Sequence, residues 1–107
     1  SVIVAFASIE YRHKKLFRAL SKQTRNIVHS FTPLQLSRTI HGFGVASVDD
    51  DGLLRILCDH VVRQQHLLHA RNVVDIMVGL TEAEYTPEKV VKTLLAEPPK
   101  LARWLGG

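Results

Sequence analysis

The sequence lacks the features that mark several classes of protein. A single cysteine, Cys58, excludes an internal disulfide framework and fits a reducing compartment. No apolar run approaches the ~20 residues that a membrane-spanning helix needs. The opening residues SVIVAFASIE have neither the cationic start of a signal peptide nor the arginines of a transit peptide. We therefore expect a protein without disulfides and without a membrane partner.

Motifs for catalysis are also missing. The sequence has no phosphate loop, no nucleophile elbow and no paired-carboxylate arrangement. His66 and His69 are three residues apart and Cys58 is close to His60, but no second ligand pair has the spacing of a zinc finger. The apolar neighbours of Cys58 favour a small packed side chain over a nucleophile. We predict no catalytic residue, metal or cofactor; an enzyme would need chemistry from another part of the protein.

Positive charge is concentrated near the start of the chain. Of 14 Lys and Arg residues, six lie in residues 1–31 with only Glu10 against them, a balance of +5. The remaining 76 residues carry eight cations and nine acids, a balance of −1. A basic face also keeps a helix soluble, but an asymmetry of this size indicates an acidic partner near the first helices.

Three five-residue blocks recur at a constant spacing of 37 residues: LFRAL at 16–20, LLRIL at 53–57 and VVKTL at 90–94. Each block has two large apolar residues, a cation, a small or branched residue, and leucine. Further apolar positions follow the same spacing: Ile3, Ile40 and Met77; Phe6, Phe43 and Leu80; Phe31, Leu68 and Leu105. Such a period is typical of a helical-repeat protein.

The repeat predicts an all-α fold, an α-solenoid of stacked antiparallel helical hairpins. Its units are a partial repeat at 1–31 and full repeats at 32–68 and 69–105, as a segment of a longer array. The expected helices lie at about 12–28, 33–45, 50–65, 70–82 and 87–96, with residues 1–10 as the end of an earlier first helix and a short helical turn at KLARWL. We expect SVIVAFA to be an exposed apolar stub, and Leu54 and Leu57 to lie in the core.

Helix-capping signals accompany this pattern. Thr32 and Gln35 have the spacing of a capping box, with Pro33 at the first helical position. The run Asp49–Asp51 supplies an N-cap and acids for a first turn. Thr86-Pro87-Glu88 predicts a further helix start.

The unit resembles the heptatricopeptide repeats of RAP-domain and FAST-kinase-like organellar proteins, relatives in style of the octotricopeptide and pentatricopeptide families. The resemblance is based on Phe31, Pro33, Leu36, Ile40, Gly42, Phe43 and residues 49–57, with weaker copies around 3–20 and 68–94. It implies a mitochondrial or plastid α-solenoid that binds messenger or ribosomal RNA, or belongs to an organellar ribosome or RNA-processing assembly. The RAP domain itself is not visible in this sequence.

Two sets of residues are candidates for RNA contact. The first is basic: Lys15, Arg18, Lys22 and Arg25 share one helix face, Arg12 lies nearby, and Arg18, Arg55 and Lys92 repeat at 37-residue spacing. The second contains polar positions of the first helix of each unit: Gln35, Arg38, His41, Arg71 and Asn72. An amphipathic helix needs a polar face in any case, so each residue also has a purely structural interpretation.

Two functions therefore compete. The favoured one is a non-catalytic RNA-binding component of a mitochondrial ribonucleoprotein. The alternative is a protein-interaction scaffold of the same architecture, bound to neighbouring proteins without direct RNA contact. The scarcity of aromatic residues for base stacking and the near-neutral remainder of the chain favour the scaffold.

Overall fold

The computed structural model describes residues 2–96, with the backbone alone described at residues 6 and 10. Within that range every regular element is helical and there is no strand, so the predicted all-α class is confirmed. Five α-helices follow one another: α1 (Val2–Ile27), α2 (Pro33–Val45), α3 (Asp51–Arg63), α4 (Ala70–Glu82) and α5 (Glu88–Leu95). Turns of 3-10 helix at Val28–Ser30 and Gln65–Leu67 precede α2 and α4. None of the described helices is both long and apolar enough to cross a membrane.

The starts of α2 and α3 follow from local sequence. The Thr32 N–H donates to Gln35 Oε1 at 3.0 Å, and the Gln35 N–H donates to Thr32 Oγ1 at 3.2 Å. At α3, Asp50 Oδ1 accepts from the Leu53 N–H at 3.0 Å. Both predicted caps are confirmed, because each requires only a side chain within three residues of a free backbone N–H.

One predicted boundary is wrong. The sequence separated residues 1–10 from a helix at 12–28, whereas α1 runs unbroken through this point. The first glycine or proline of the chain is Pro33, so α1 contains neither of the two residues that most disfavour a continuous helix. The last described helix starts at Glu88, within the predicted start Thr86-Pro87-Glu88, and Pro87 is its N-cap residue. The predicted turn KLARWL lies outside the described residues.

Backbone geometry recurs at a spacing of 37 residues. The starts of α2 and α4 are 37 residues apart, as are those of α3 and α5. Two residues after the last residue of α2 and of α4 comes a residue with a φ of 55°: Ser47 and Glu84, again 37 apart. After each, a backbone N–H reaches back five residues: Val48 donates to the Phe43 carbonyl at 3.1 Å, and Tyr85 to that of Leu80 at 2.9 Å. This is the Schellman ending of a helix, formed twice.

The core lies where α2, α3, α4 and α5 meet. Leu54 and Leu57 of α3 are buried there, as predicted. The backbones of α2 and α4 come into contact at Gly44 and Gly79, where a Cβ on Gly79 would lie 2.5 Å from the Ile40 carbonyl oxygen. The largest fully buried apolar side chains are Leu36, Ile40, Leu53, Leu57, Val61, Leu68, Ile76 and Leu80. The close approach of α2 and α4 is therefore central to the packing.

Only the second half of α1 joins this core. Ser21 and Thr24 are the buried residues of α1, Val28 in the following turn is also buried, and Phe17 packs partly against the core. Every side chain described from residue 2 to residue 16 is exposed. The molecule is correspondingly elongated, at 56 × 27 × 23 Å.

Candidate nucleic-acid interface

The exposed cations of α1 form a basic surface along one helix. We define the α1 basic face as Arg12, Lys15, Arg18 and Lys22, all of which are exposed. Lys15, Arg18 and Lys22 are spaced by three and four residues and therefore share one side of the helix. Among the described side chains, none of these three forms an ion pair, so their charges are available to a ligand.

Arg25, which the sequence placed on the same face, has a different environment. Its Nη2 donates to Asp50 Oδ1 at 2.8 Å, forming an ion pair between α1 and the start of α3. Ser21 Oγ donates to the other oxygen of the same carboxylate at 2.5 Å. Arg25 therefore helps to hold α1 against the N-terminus of α3, and we leave it out of the α1 basic face.

The pKa of Asp50 reflects this cluster. Partial burial acts to raise the pKa, but the hydrogen bonds from Ser21 and the Leu53 N–H, together with the charge and hydrogen bond of Arg25, outweigh it. The net result is a pKa below the usual value of an aspartate. The ionised carboxylate thus caps α3 and anchors α1 at the same time.

Asp50→Ala is expected to lower the free energy of unfolding by about 1–2 kcal/mol near neutral pH, because a cap and an inter-helix anchor are lost. Since the pKa of Asp50 is lower in the folded than in the unfolded chain, the stabilisation is present above the unfolded pKa of about 4 and disappears as the pH falls through the folded pKa. Urea unfolding of the wild-type protein and of the Asp50→Ala variant, at neutral and at acid pH, measures the difference in their free energies of unfolding. Asp49→Ala, at an exposed neighbour, is the control and should change stability by less than about 0.5 kcal/mol; equal effects of the two variants would contradict the assigned role.

The predicted row of cations at 37-residue spacing lies on neighbouring helices. α3 contacts both α1 and α5, and Arg18, Arg55 and Lys92 are all exposed on these three helices. Lys92 Nζ is 2.8 Å from Glu88 Oε1, one turn earlier on α5, in a well-solvated pair. Such a surface pair is weak and can be exchanged for a phosphate contact.

The polar positions of α2 and α4 divide into two groups. Arg38 and Arg71 are exposed and His41 is half-buried. Gln35, by contrast, is engaged in the capping box with Thr32. Asn72 is 6% exposed.

The side chain of Asn72 uses both its oxygen and its nitrogen in internal hydrogen bonds. Its Oδ1 accepts from the His69 N–H at 3.0 Å, and its Nδ2 donates to Ser37 Oγ at 3.3 Å. Gln35 and Asn72 thus stabilise the starts of α2 and α4, and we leave both out of the proposed interface. The His69–Asn72 spacing repeats that of Thr32–Gln35, a signal in the sequence from which this role could have been inferred.

A cavity of about 420 Å³ lies beside the α1 basic face. Its walls bring His13 and Arg18 of α1 near Asp49 and Asp50, which precede α3. Sequence reasoning missed this proximity, because it joins residues some 30 positions apart through tertiary packing alone. The two carboxylates oppose the entry of a phosphate into the cavity, so the outward side of α1 is the better surface for RNA.

Cys58, the one cysteine of the sequence, is buried in α3. Burial, helped by the nearby charge of Asp59, raises the pKa of the Cys58 thiol to about 12, so the thiol stays protonated at neutral pH and is a poor nucleophile. Among residues 2–96, no three His, Cys, Asp or Glu side chains are grouped so as to hold a metal ion.

Comparisons with known proteins identify the family. Neither the curated proteins nor the solved structures gave a match. The family model of the RNA-editing substrate-binding complex 6 protein (RESC6) matches residues 1–94, which is most of the chain. The chain therefore belongs to the RNA-editing substrate-binding complex 6 protein family.

Proposed function

We propose that this protein is a non-catalytic RNA-binding component of an RNA-editing substrate-binding complex, located in mitochondria, and that the α1 basic face contacts the RNA backbone. The observation on which this rests is the set of exposed cations on one side of α1, in a chain of this family. Phosphate contacts by lysine and arginine release counterions and provide affinity that does not depend on sequence.

The proposed framework is an α-solenoid whose unit is the 37-residue helical hairpin, of the heptatricopeptide type that the sequence resembles. The equal spacing of α2 and α4, of α3 and α5, and of the two Schellman endings supports this unit. In such an array the second helices of successive units lie side by side. Arg18, Arg55 and Lys92 would then extend the α1 basic face along a backbone of RNA.

Base-specific readout is a smaller part of the proposal. Tyr11 is the exposed aromatic residue closest to the α1 basic face in the described part of the chain, while Phe17 and Phe43 pack against each other with ring centroids 6.0 Å apart. Few aromatic faces are therefore free for base stacking, the interaction that usually holds single-stranded RNA. We expect broad affinity for single-stranded RNA with weak sequence preference.

The test is binding of fluorescein-labelled single-stranded RNA, measured by anisotropy across a series of salt concentrations. Lys15→Gln/Lys22→Gln should weaken binding for all sequences. It should also reduce the slope of log affinity against log salt by roughly 1.4, since each lost phosphate contact on a single strand accounts for about 0.7. The control, Arg63→Gln/Lys89→Gln, removes the same charge from exposed positions elsewhere. An unchanged slope in the first variant, or equal losses in both, would contradict the proposed interface.

A protein-interaction scaffold is the second candidate function. It is favoured by exposed apolar side chains on α4. Val74 and Val78, one turn apart on α4, are exposed although they are large and apolar. In the natively purified assembly, crosslinks from the α1 basic face to nucleotide would favour RNA binding. Crosslinks from that face to protein alone would support the protein-interaction scaffold instead.

A further inference from the structure

The cavity beside the α1 basic face has a chemically mixed lining, and we call it the junction cavity. It is lined by His13, Lys14, Phe17, Arg18 and Ser21 of α1 and by residues 46–50, which connect α2 to α3. Its volume of about 420 Å³ is within the range of sites that hold small ligands. The cavity therefore has room for one compact group, and its lining decides which group fits.

The position 37 residues after Val48 shows what shape fits this kind of space. Tyr85 stands there, and it packs partly against the core. Burial raises the pKa of Tyr85, and Cys58 and Arg55 of α3 are close enough for their charges to act on it as well. Those two residues stand 37 positions after two residues of α1 that line the junction cavity. At the later position an aromatic ring thus fills the kind of space that the smaller Val48 leaves open.

Two aromatic rings of α1 contribute to the lining. The ring centroids of His13 and Phe17 are 4.6 Å apart, with an angle of 66° between the ring planes. His13 is exposed and Phe17 is half-buried, so the pair reaches from the core to the surface. Side chains of these types are the ones on which unstacked RNA bases stack. This side of the junction cavity therefore suits the flat face of a nucleobase.

Two carboxylates line the junction cavity, but only one of them is engaged. Asp50 is occupied by the cap of α3 and by the anchor to α1. Asp49 is exposed, and in the described part of the chain it forms no ion pair and no hydrogen bond. An ionised carboxylate has two oxygens that can accept from two adjacent N–H donors. Among the four RNA bases, guanine alone presents two such neighbouring donors, N1–H and the 2-amino group, on its Watson–Crick edge.

We propose that the junction cavity binds one guanine base of single-stranded RNA, with Asp49 accepting from its Watson–Crick edge and Arg18 contacting the adjoining phosphate. Arg18 belongs both to the α1 basic face and to the lining of the cavity, so backbone and base contacts meet at this residue. Because a nucleobase is uncharged, the carboxylates that oppose a phosphate do not oppose it. The inference rests on the proposed function, and it adds a preference at one nucleotide to the broad affinity for RNA.

The experiment is fluorescence anisotropy of the full chain with three short labelled RNAs. One is an oligouridine, the second has a single guanosine at its centre, and the third has inosine in place of that guanosine. The guanosine RNA should bind about tenfold more tightly than the oligouridine, the effect expected of hydrogen bonds to a charged group. Inosine keeps N1–H but lacks the 2-amino group, so its RNA should bind with intermediate affinity.

Two variants test the lining of the junction cavity. Asp49→Asn should remove most of the preference for guanosine, because an amide offers only one acceptor oxygen. If Asp49 acted only through its charge, the substitution would strengthen the binding of all three RNAs equally and keep the preference. Val48→Tyr places a ring in the cavity, as at position 85, and should also remove the preference while circular dichroism shows unchanged helix content. The matched control is Glu82→Gln, at an exposed carboxylate of α4 outside the cavity, and it should keep the preference.

The outcomes separate the base site from the proposed function. Equal affinity of the wild-type chain for the guanosine RNA and the oligouridine would overturn the base site alone, as would an unchanged preference in Asp49→Asn. A clear preference for guanosine, together with an unchanged salt slope in Lys15→Gln/Lys22→Gln, would support the base site and contradict the proposed backbone interface. Failure to bind any of the three RNAs would overturn both.

Discussion

Gly79→Ala is expected to lower the free energy of unfolding by about 3 kcal/mol or more. The added Cβ would lie 2.5 Å from the Ile40 carbonyl oxygen and 2.7 Å from the His41 Cα. Both neighbours are backbone atoms of α2, which cannot rotate away as a flexible side chain does. The two helices must therefore separate, and this loosens the buried contacts of Ile40, Ile76 and Leu80. Urea unfolding followed by far-ultraviolet circular dichroism measures the loss.

Gly42→Ala is the control for this prediction. Gly42 is also in the interior of a helix, but an added Cβ meets nothing within 4 Å. The alanine should stabilise the chain by roughly 0.5–1 kcal/mol, because glycine loses more conformational entropy in a helix. Similar effects of the two substitutions would show that α2 and α4 are not in backbone contact.

Leu57→Ala is expected to destabilise the protein by about 2–5 kcal/mol. Leu57 is 0% exposed and lies in the core of α3 beside Leu54 and Val61. Removing its side chain loses buried apolar area and leaves a cavity that the surrounding helices fill only in part. Thermal and urea unfolding both report the loss, and a change below about 0.5 kcal/mol would contradict the buried position.

The matched control is Leu20→Ala, at the position 37 residues earlier in α1. Leu20 is large, apolar and helical like Leu57, but it is 42% exposed and lines an open cavity between α1 and α2. Its truncation should cost less than about 1 kcal/mol, since the side chain already contacts water. Equal losses at the two positions would contradict the exposed position of Leu20.

Much of the helical pattern could be predicted from the sequence because its causes are local. The cap at Thr32 depends on a hydroxyl and an amide three residues apart, and the cap at Asp50 on a carboxylate before a free N–H. Leu54 and Leu57 follow from the apolar spacing of an amphipathic helix. The predicted helix boundary near residue 11 was wrong for a related reason. The sequence there holds no residue that ends a helix, and only the comparison with a segment 37 residues away had suggested a boundary.

Two residues of the candidate site have environments that the local sequence does not predict. Arg25 has the same spacing as the rest of the basic stripe, yet a carboxylate 25 residues away pairs with it. Asn72 is at a polar position of its helix, yet contact between α4 and α2 buries it against Ser37. Neither outcome follows from periodicity, because periodicity states which residues share a face and not what that face meets.

By itself the sequence determined the helical class, the caps, the buried leucines of α3 and the concentration of positive charge in α1, since these depend on residue type and short spacing. Only the tertiary structure decided the different environments of Gly42 and Gly79, which correspond at the 37-residue spacing. One faces an open groove, while the other is in contact with a neighbouring backbone. The physical reason is that packing depends on which surface a helix meets, and that partner is set by the path of the whole chain.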